Sequence, residues 1–216
     1  VRGMSRALRA TGGEHNVILM GAGSEESVER SEIEAGVPGV LAASISGVRI
    51  RAGVAYVSPE VHVMLPVRVR ASAAAASVPG GNGTAGTEGG SAPSLPKPKG
   101  RQVMMRGVTP AAALVHESVS LTEGRWPLSG SDEVIVGRMA ATVLGVSESD
   151  MHVGKSLIVD GRPWTIVGRF SAPGTVVEAE VWLPLADLMT ATKRETISCV
   201  GLTLDPYNDA TGDGEE

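Results

Sequence analysis

Apolar and polar positions follow the clearest pattern between residues 132 and 184, where they predict a small module rich in strands. The run from Glu133 to Gly137 is typical of a buried strand, and a helical run follows it as far as Leu144. Two more strand-like runs flank Asp160-Gly161, a dipeptide that tolerates the positive φ angles of a tight hairpin turn. The pattern therefore predicts a β-hairpin centred on Asp160-Gly161.

The first 70 residues carry patterns of the same kind. Asn16 to Met20 is predicted to be a short buried strand, and Ser24 with the acids after it is typical of a helix start. That helix is expected to stop near Gly36. From residue 61 to residue 69 the odd positions are apolar, which predicts a half-exposed strand, and Pro66 indicates an edge or a bulge in it.

Further elements are predicted on either side of the hairpin. A strand begins near Gln102, and a short helix follows Pro110. Beyond the hairpin we expect a strand from Glu180 to Leu183, a helical turn or two from Pro184 to Met189, and a last strand from Ile197 to Leu204.

Residues 71–100 change character, because Ala, Gly, Ser and Pro dominate and bulky apolar side chains are scarce. Such a segment cannot bury enough surface to offset its ordering entropy, so a disordered linker is predicted there. The whole pattern predicts an α+β fold of two small lobes. Residues 1–70, with 191–205 returning to them, form a lobe of strand-helix units, and residues 101–190 form a β-rich lobe. Residues 206–216 are predicted to be a disordered acidic tail.

Composition narrows the choice of partner. The chain has 216 residues and a net charge of −5, but five of its 24 acids lie in the last twelve residues. The remaining 19 acids balance the 19 lysines and arginines, and only 3% of residues are aromatic. A neutral body with little stacking surface disfavours a nucleic-acid partner. The longest uncharged runs are also too short, or too rich in Gly and Pro, to be a membrane-spanning helix.

The sequence offers few candidate residues for catalysis or for binding a cofactor or a metal. Gly21-Ala22-Gly23 follows a predicted strand as a dinucleotide loop would, but Glu26 stands where a third glycine belongs, and its charge would repel a phosphate. The single cysteine, Cys199, lies in an apolar run and is expected to pack as a small side chain. The four histidines show no metal-binding spacing; they are His15, His62, His116 and His152. A zinc site would need ligands from distant parts of the chain, which the sequence leaves open. We predict no catalytic residue, cofactor site or metal ligand.

One tryptophan is a candidate for contact with a partner protein. Trp164 and Trp182 fall in predicted strands, where a large ring most often fills a core. Trp126 precedes Pro127 in a predicted loop, which favours an exposed position. Packing of Trp126 against the second lobe is the alternative.

Several short pieces of sequence, taken in order, resemble the periplasmic core domain of MacB/FtsX-like ABC-transporter permeases. The resemblance covers most of residues 11–204. Its pieces are Thr11-Gly12 before Asn16-Val17-Ile18-Leu19, Gly21-Ala22 with Glu29 and Ser31, Gly107-Val108-Thr109-Pro110, Gly124-Arg125-Trp126, Asp132 to Gly137, Val153-Gly154-Lys155, Trp164 to Gly168, and Val181-Trp182-Leu183-Pro184.

The resemblance implies a function without catalysis. In that family the domain lies outside the cytoplasmic (inner) membrane, between two transmembrane helices of the permease, and ATP is hydrolysed by a separate cytoplasmic ATPase. The implied role is to relay the resulting motion and to contact a periplasmic adaptor, a lipoprotein or another substrate during export or lipoprotein release. The full transporter would be a homodimer or a heterodimer. No cofactor is implied.

A second hypothesis is a free-standing secreted or periplasmic module that binds a protein partner through its β-rich lobe. The two hypotheses differ in what they predict before Val1. A permease requires an apolar span of about 20 residues there, whereas a secreted module requires a cleavable signal peptide. An enzyme is the third and weakest hypothesis.

Overall fold

The computed structural model describes residues 15–24, 26–70 and 100–205. The predicted tail and nearly all of the predicted linker lie outside these residues. Within them the fold is mixed α+β, as predicted. Its strands are β1 Asn16–Met20, β2 Ile33–Glu34, β3 Ile50–Arg51, β4 Val54–Ala55, β5 Val57–Val69, β6 Arg101–Val108, β7 Ser120–Gly124, β8 Glu133–Gly137, β9 Ser156–Val159, β10 Arg162–Ser171, β11 Val181–Pro184, β12 Thr196–Ile197 and β13 Cys199–Thr203. Its α-helices are α1 Val37–Ser44, α2 Ala112–Val115, α3 Ala140–Leu144 and α4 Leu185–Thr192.

Six strands close into a ring. The order around it is β5, β6, β11, β8, β10 and β9, and β9 returns to pair with β5. Neighbours β6 and β11, and also β8 and β10, run parallel, and the other pairs are antiparallel. In a closed ring every strand has a neighbour on both sides for part of its length, which pairs its backbone groups there.

The inside of this barrel is filled by alternate residues of its strands. Each strand supplies two apolar side chains, spaced two residues apart on five strands and six apart on β5, as expected when every second residue faces inward. They are Val61, Val67, Val103, Met105, Val134, Val136, Leu157, Val159, Trp164, Ile166, Val181 and Leu183. Residues between these positions therefore face outward, and a smaller apolar cluster around Phe170 and Trp182 lies on that outer face.

Strand β5 belongs to two groups of strands. Its first four residues pair with β13, which pairs in turn with β1, while residues from Val61 onward pair with β6. The predicted division into lobes remains a prediction. In the structure, β5 physically joins the β1–β13 strands to the barrel.

The hairpin prediction is confirmed. Val159 is the register partner of Arg162, so the loop contains only Asp160 and Gly161. Both have positive φ angles, 48° and 81°, as a two-residue hairpin turn requires.

The sequence predicts an edge or a bulge at Pro66, and the structure confirms an edge. On the side of β5 away from β6, β13 pairs as far as Glu60 and β9 starts only at Val67. Pro66 therefore lies where β5 has a single neighbour, and its missing N–H leaves no donor unpaired on the open side.

Two predictions for the first lobe are wrong. The helix expected from Ser24 to Gly36 is absent: a 3-10 turn covers Val28–Arg30, and α1 starts only at Val37. Pairing of Ile33 with Ile197 holds this stretch extended, and Pro38 suits the first turn of the later helix because that turn needs no N–H. Strand β1 exists but is mostly exposed, because in the described chain it pairs only with β13.

Glycine at position 137 is required by packing. A Cβ there would lie 2.3 Å from the carbonyl oxygen of Glu178, a backbone atom that cannot move freely. We expect Gly137→Ala to lower the free energy of unfolding by about 1–3 kcal/mol, measured by urea denaturation. The control is Gly39→Ala in α1, where a Cβ meets no atom within 4 Å. The control should be neutral or stabilising by up to about 1 kcal/mol; equal losses in the two variants would contradict this account.

Candidate functional site

The described residues bring three charged side chains together on the outer face of the barrel. Arg106 on β6 lies between Glu60 on β5 and Glu180 just before β11, and all three are at most 7% exposed. The guanidinium donates from Nη1 to Glu60 at 2.8 Å, and from Nε and Nη2 to the two oxygens of Glu180 at 2.7 Å each. We call these three residues the ionic network.

Strand register explains why these side chains meet. Arg106 is the register partner of His62 on β5 and of Trp182 on β11. Each acid lies two residues before one of these partners, and residues two apart share a face of a strand. Both carboxylates are thus placed on the face that carries the guanidinium, one on each side of it.

Each oxygen of Glu60 has two partners. Ser58 Oγ donates to Oε1 at 3.0 Å, and His116 Nε2 lies 2.5 Å from the same atom. His62 Nε2 lies 3.0 Å from Oε2, which also receives the bond from Arg106. The carboxylate is therefore fully engaged and its orientation is fixed.

Aromatic rings cover the other end of the network. Trp182 donates its indole N–H to Glu180 at 2.7 Å, and its ring lies 5.2 Å below the guanidinium carbon of Arg106. The same ring contacts His116 and Phe170, with centroids at 5.3 and 5.1 Å. A low-polarity cover of this kind strengthens the attraction between the buried charges.

The electrostatics keep the network charged. Burial alone would raise the pKa of Glu60, but the charge of Arg106 and the hydrogen bonds of His116 and His62 hold that pKa well below its usual value. Burial opposes the charge on Arg106 too, but the two carboxylates raise its pKa above the usual value. Both groups are therefore ionised at neutral pH.

Cys199 borders the network. It is the register partner of Glu60, it is 3% exposed, and its Sγ lies 3.7 Å from His62 Nε2. Burial, followed by the charge of Glu60, raises the pKa of the thiol to about 12. The side chain packs in its strand, which agrees with the interpretation from the sequence.

The structure sorts the other sequence candidates. His62 and His116 meet at Glu60, whereas His152 is half exposed and lies beside Glu123. In the loop Gly21-Ala22-Gly23, the N–H of Gly21 is already bonded to Ser31 Oγ at 2.8 Å. A Cβ on Gly21 would also lie 2.7 Å from the Glu32 carbonyl, so the glycine serves a close backbone contact.

Trp126 is partly buried. It packs on the cluster of Trp182 and Phe170, with 6.3 Å between the two indole centroids. Its outer side lines a small cavity of about 260 Å³ together with Pro110, Pro127 and Pro184. We call this the Trp126 cavity. The predicted contact with a partner remains a prediction.

Sequence reasoning missed the ionic network. Its members are 46 and 74 residues apart, and nothing local links them. The available signals were Glu60 next to an alternating apolar strand and Arg106 inside the apolar run from Val103 to Val108. A charge placed in such a run indicates a buried partner, although not which one.

None of the helices in the described ranges 15–24, 26–70 and 100–205 has the length and apolar character needed to span a bilayer.

The family model and the solved structures that match this chain agree with one another. The family model described as the MacB-like periplasmic core domain matches residues 15–211. The periplasmic region of MacB from Actinobacillus actinomycetemcomitans has a TM-score of 0.59 at 14% identity, covering 92% of this chain and 78% of that one. The extracellular domain of the ABC-type transporter YknZ from Gram-positive bacteria has a TM-score of 0.56 at 14% identity, covering 93% and 89%. At such identities the likeness shows the fold. No curated protein matches the sequence.

Removing Arg106 should test the contribution of the network to stability. Arg106→Met leaves two buried carboxylates without a cation, so we expect the free energy of unfolding to fall by about 3–5 kcal/mol in urea denaturation. The matched control is Arg125→Met, which breaks the exposed pair with Glu133. Solvent screens that pair, so its loss should be much smaller. Similar losses in both variants would show that the buried network does not stabilise the fold.

Proposed function

The chain belongs to the MacB-like periplasmic core domain family, and from that premise we propose that it relays ATP-driven motion of a permease to a partner outside the membrane. Members of this family are extracytoplasmic domains of ABC-transporter permeases and are not catalytic domains. The proposal starts from family membership and from the position outside the membrane. It adds the relay of motion and the contact with a partner.

The observation that carries the proposal is the sharing of β5. This strand pairs with β13 at one end and with barrel strands for the rest of its length. The ionic network lies where β5 passes from one pairing to the other, because Glu60 is the last residue paired with β13. Force applied to either end of β5 therefore acts on the network.

Buried charge pairs resist separation. Pulling β5 away from β6 would break the charge-assisted hydrogen bond of 2.8 Å from Arg106 to Glu60, and pulling β6 away from β11 would break the two bonds of 2.7 Å from Arg106 to Glu180. Either separation would leave ionised groups in a buried site. Sliding β6 by one residue would turn Arg106 to the opposite face. The domain thus favours motion as a whole body over motion within itself, which is what transmission of a displacement requires.

The partners follow from the same proposal. The displacement would come from the transmembrane helices of the same permease, driven by a cytoplasmic ATPase, in a homodimeric or heterodimeric transporter. An adaptor or a lipoprotein would receive it. The Trp126 cavity suits the contact, because it is apolar, bordered by three prolines and packed on the aromatic cluster that covers the network.

Glu60→Gln should distinguish a domain that relays motion from one that is only a stable scaffold. The change keeps the shape and one acceptor of Glu60 but removes its charge, so amide hydrogen exchange in β5 and β6 should become faster. In the full transporter, we expect partner-dependent stimulation of ATPase activity to fall at least threefold while basal activity stays. The control is Glu133→Gln, which alters an exposed pair. Faster exchange with unchanged stimulation would reject the relay.

Trp126→Ala should test the contact surface. We expect the affinity for the adaptor or lipoprotein of the permease to fall about tenfold or more in a pull-down titration, as for a central aromatic anchor. Leu128→Ala is the control, since Leu128 is 59% exposed in the same loop and does not line the cavity. Circular dichroism must show that both variants are folded. Unchanged affinity for the folded Trp126 variant would exclude this role.

A further inference from the structure

Three different metal-binding groups meet beside the ionic network. Glu60 and His62 lie two residues apart on one face of β5, and Cys199 is the register partner of Glu60 on β13. The carboxylate oxygen, the imidazole nitrogen and the thiol sulfur all lie within 4.8 Å of one another. All three residues are buried and are carried by paired strands, which hold ligands more precisely than loops do.

The distances between donor atoms suit a tetrahedral ion. With zinc bond lengths near 2.0–2.3 Å, a tetrahedral angle places N and O about 3.3 Å apart and N and S about 3.6 Å apart. The observed distances are 3.0 Å from His62 Nε2 to Glu60 Oε2 and 3.7 Å to Cys199 Sγ. Small side-chain shifts would bring all three donors to bonding distance.

The charge of the site also favours a cation. Glu60 and Glu180 carry two negative charges against the single positive charge of Arg106. These three side chains together therefore carry a net charge of −1, and an uncompensated buried charge is costly. A divalent ion bound by a thiolate would reduce the net charge to zero.

We propose that Glu60, His62 and Cys199 bind one Zn²⁺ ion. The mixed O, N and S donor set is typical of zinc and unlike the all-oxygen sites of Mg²⁺ and Ca²⁺. Arg106 Nη1 lies 2.8 Å from the same Glu60 oxygen, so the ion replaces that one hydrogen bond. Arg106 keeps its two bonds to Glu180, while Ser58 and His116 hold the second oxygen of Glu60 and orient the carboxylate.

Binding exchanges protons for metal bonds and transfers no electrons. The thiol proton of Cys199 passes to solvent as the Zn–S bond forms. The Nε2 proton of His62, donated to Glu60 when no ion is bound, is exchanged through solvent for a proton on Nδ1, so that Nε2 offers its lone pair to the ion. The three residues leave the fourth position of the tetrahedron for a ligand from outside the protein, such as a water molecule that enters with the ion. The experiment must therefore detect the bound metal itself and its bond to the thiolate.

The experiment refolds the 216-residue chain in the presence of metal, because an ion reaches a buried site most directly during folding. The chain is unfolded, freed of metal, refolded with one equivalent of Co²⁺ as a spectroscopic probe for Zn²⁺, and dialysed. We expect one retained Co²⁺ with a thiolate-to-metal charge-transfer band, and loss of that band when Zn²⁺ is added. Refolding without a retained ion, or with an ion that shows no thiolate band, would overturn the proposal.

Variants identify the ligands. Cys199→Ser and His62→Gln should each weaken Zn²⁺ binding at least tenfold in competition with a chelator, whereas the half-exposed His152→Gln should bind as the wild type does. Equal binding by wild type and Cys199→Ser would contradict the site.

A measurement on the unaltered chain covers the case in which a variant fails to fold. Zn²⁺ should slow alkylation of Cys199 in mild denaturant at least tenfold, and an unchanged rate would also refute the proposal.

Discussion

The contact of one guanidinium with two carboxylates sets the arrangement on which the rest of the structure depends. Arg106 has Glu60 on one side and Glu180 on the other, and none of the three can lose its partner without leaving a charge away from water. Apolar strands alone can slip along one another, because one buried valine replaces another at little cost. A charged group that fits in only one place removes that freedom and specifies the register of β5, β6 and β11.

The network also links two parts of the fold that differ in kind. The barrel has closed backbone pairing and an interior of apolar side chains, while β1 and β13 form an open pair whose outer strand exposes Val17, Ile18 and Leu19. Strand β5 is common to both, and the buried charges sit on it where the pairing changes from one part to the other. The polar residues around Glu60 thus occupy the position at which a force applied to one part reaches the other.

The sequence predicts the elements whose causes are local. The hairpin at Asp160-Gly161 depends on turn chemistry within two residues, and β5 is predicted from the alternation of apolar and polar side chains between residues 61 and 69. The helix predicted after Ser24 does not form, because Ile33 pairs with Ile197, 164 positions away. This strand pairing outweighs the capping signals near Ser24. The ionic network could not be predicted for the same reason, because strands distant in sequence bring its residues together. Glu60, Arg106 and Glu180 meet only after three strands have found their register, and the sequence around each residue does not identify its partner.

The connection between β5 and β6 has a consequence for how this domain can vary. Val67 and Arg101 are register partners, so the chain leaves the barrel and re-enters it at almost the same point. The entropy cost of closing a loop grows only slowly with its length, by about 0.6 kcal/mol for each doubling. Sequence can therefore be added or removed between these strands with little effect on the barrel, which makes this crossing a natural place for evolution to enlarge the domain and for an experimenter to insert a reporter protein.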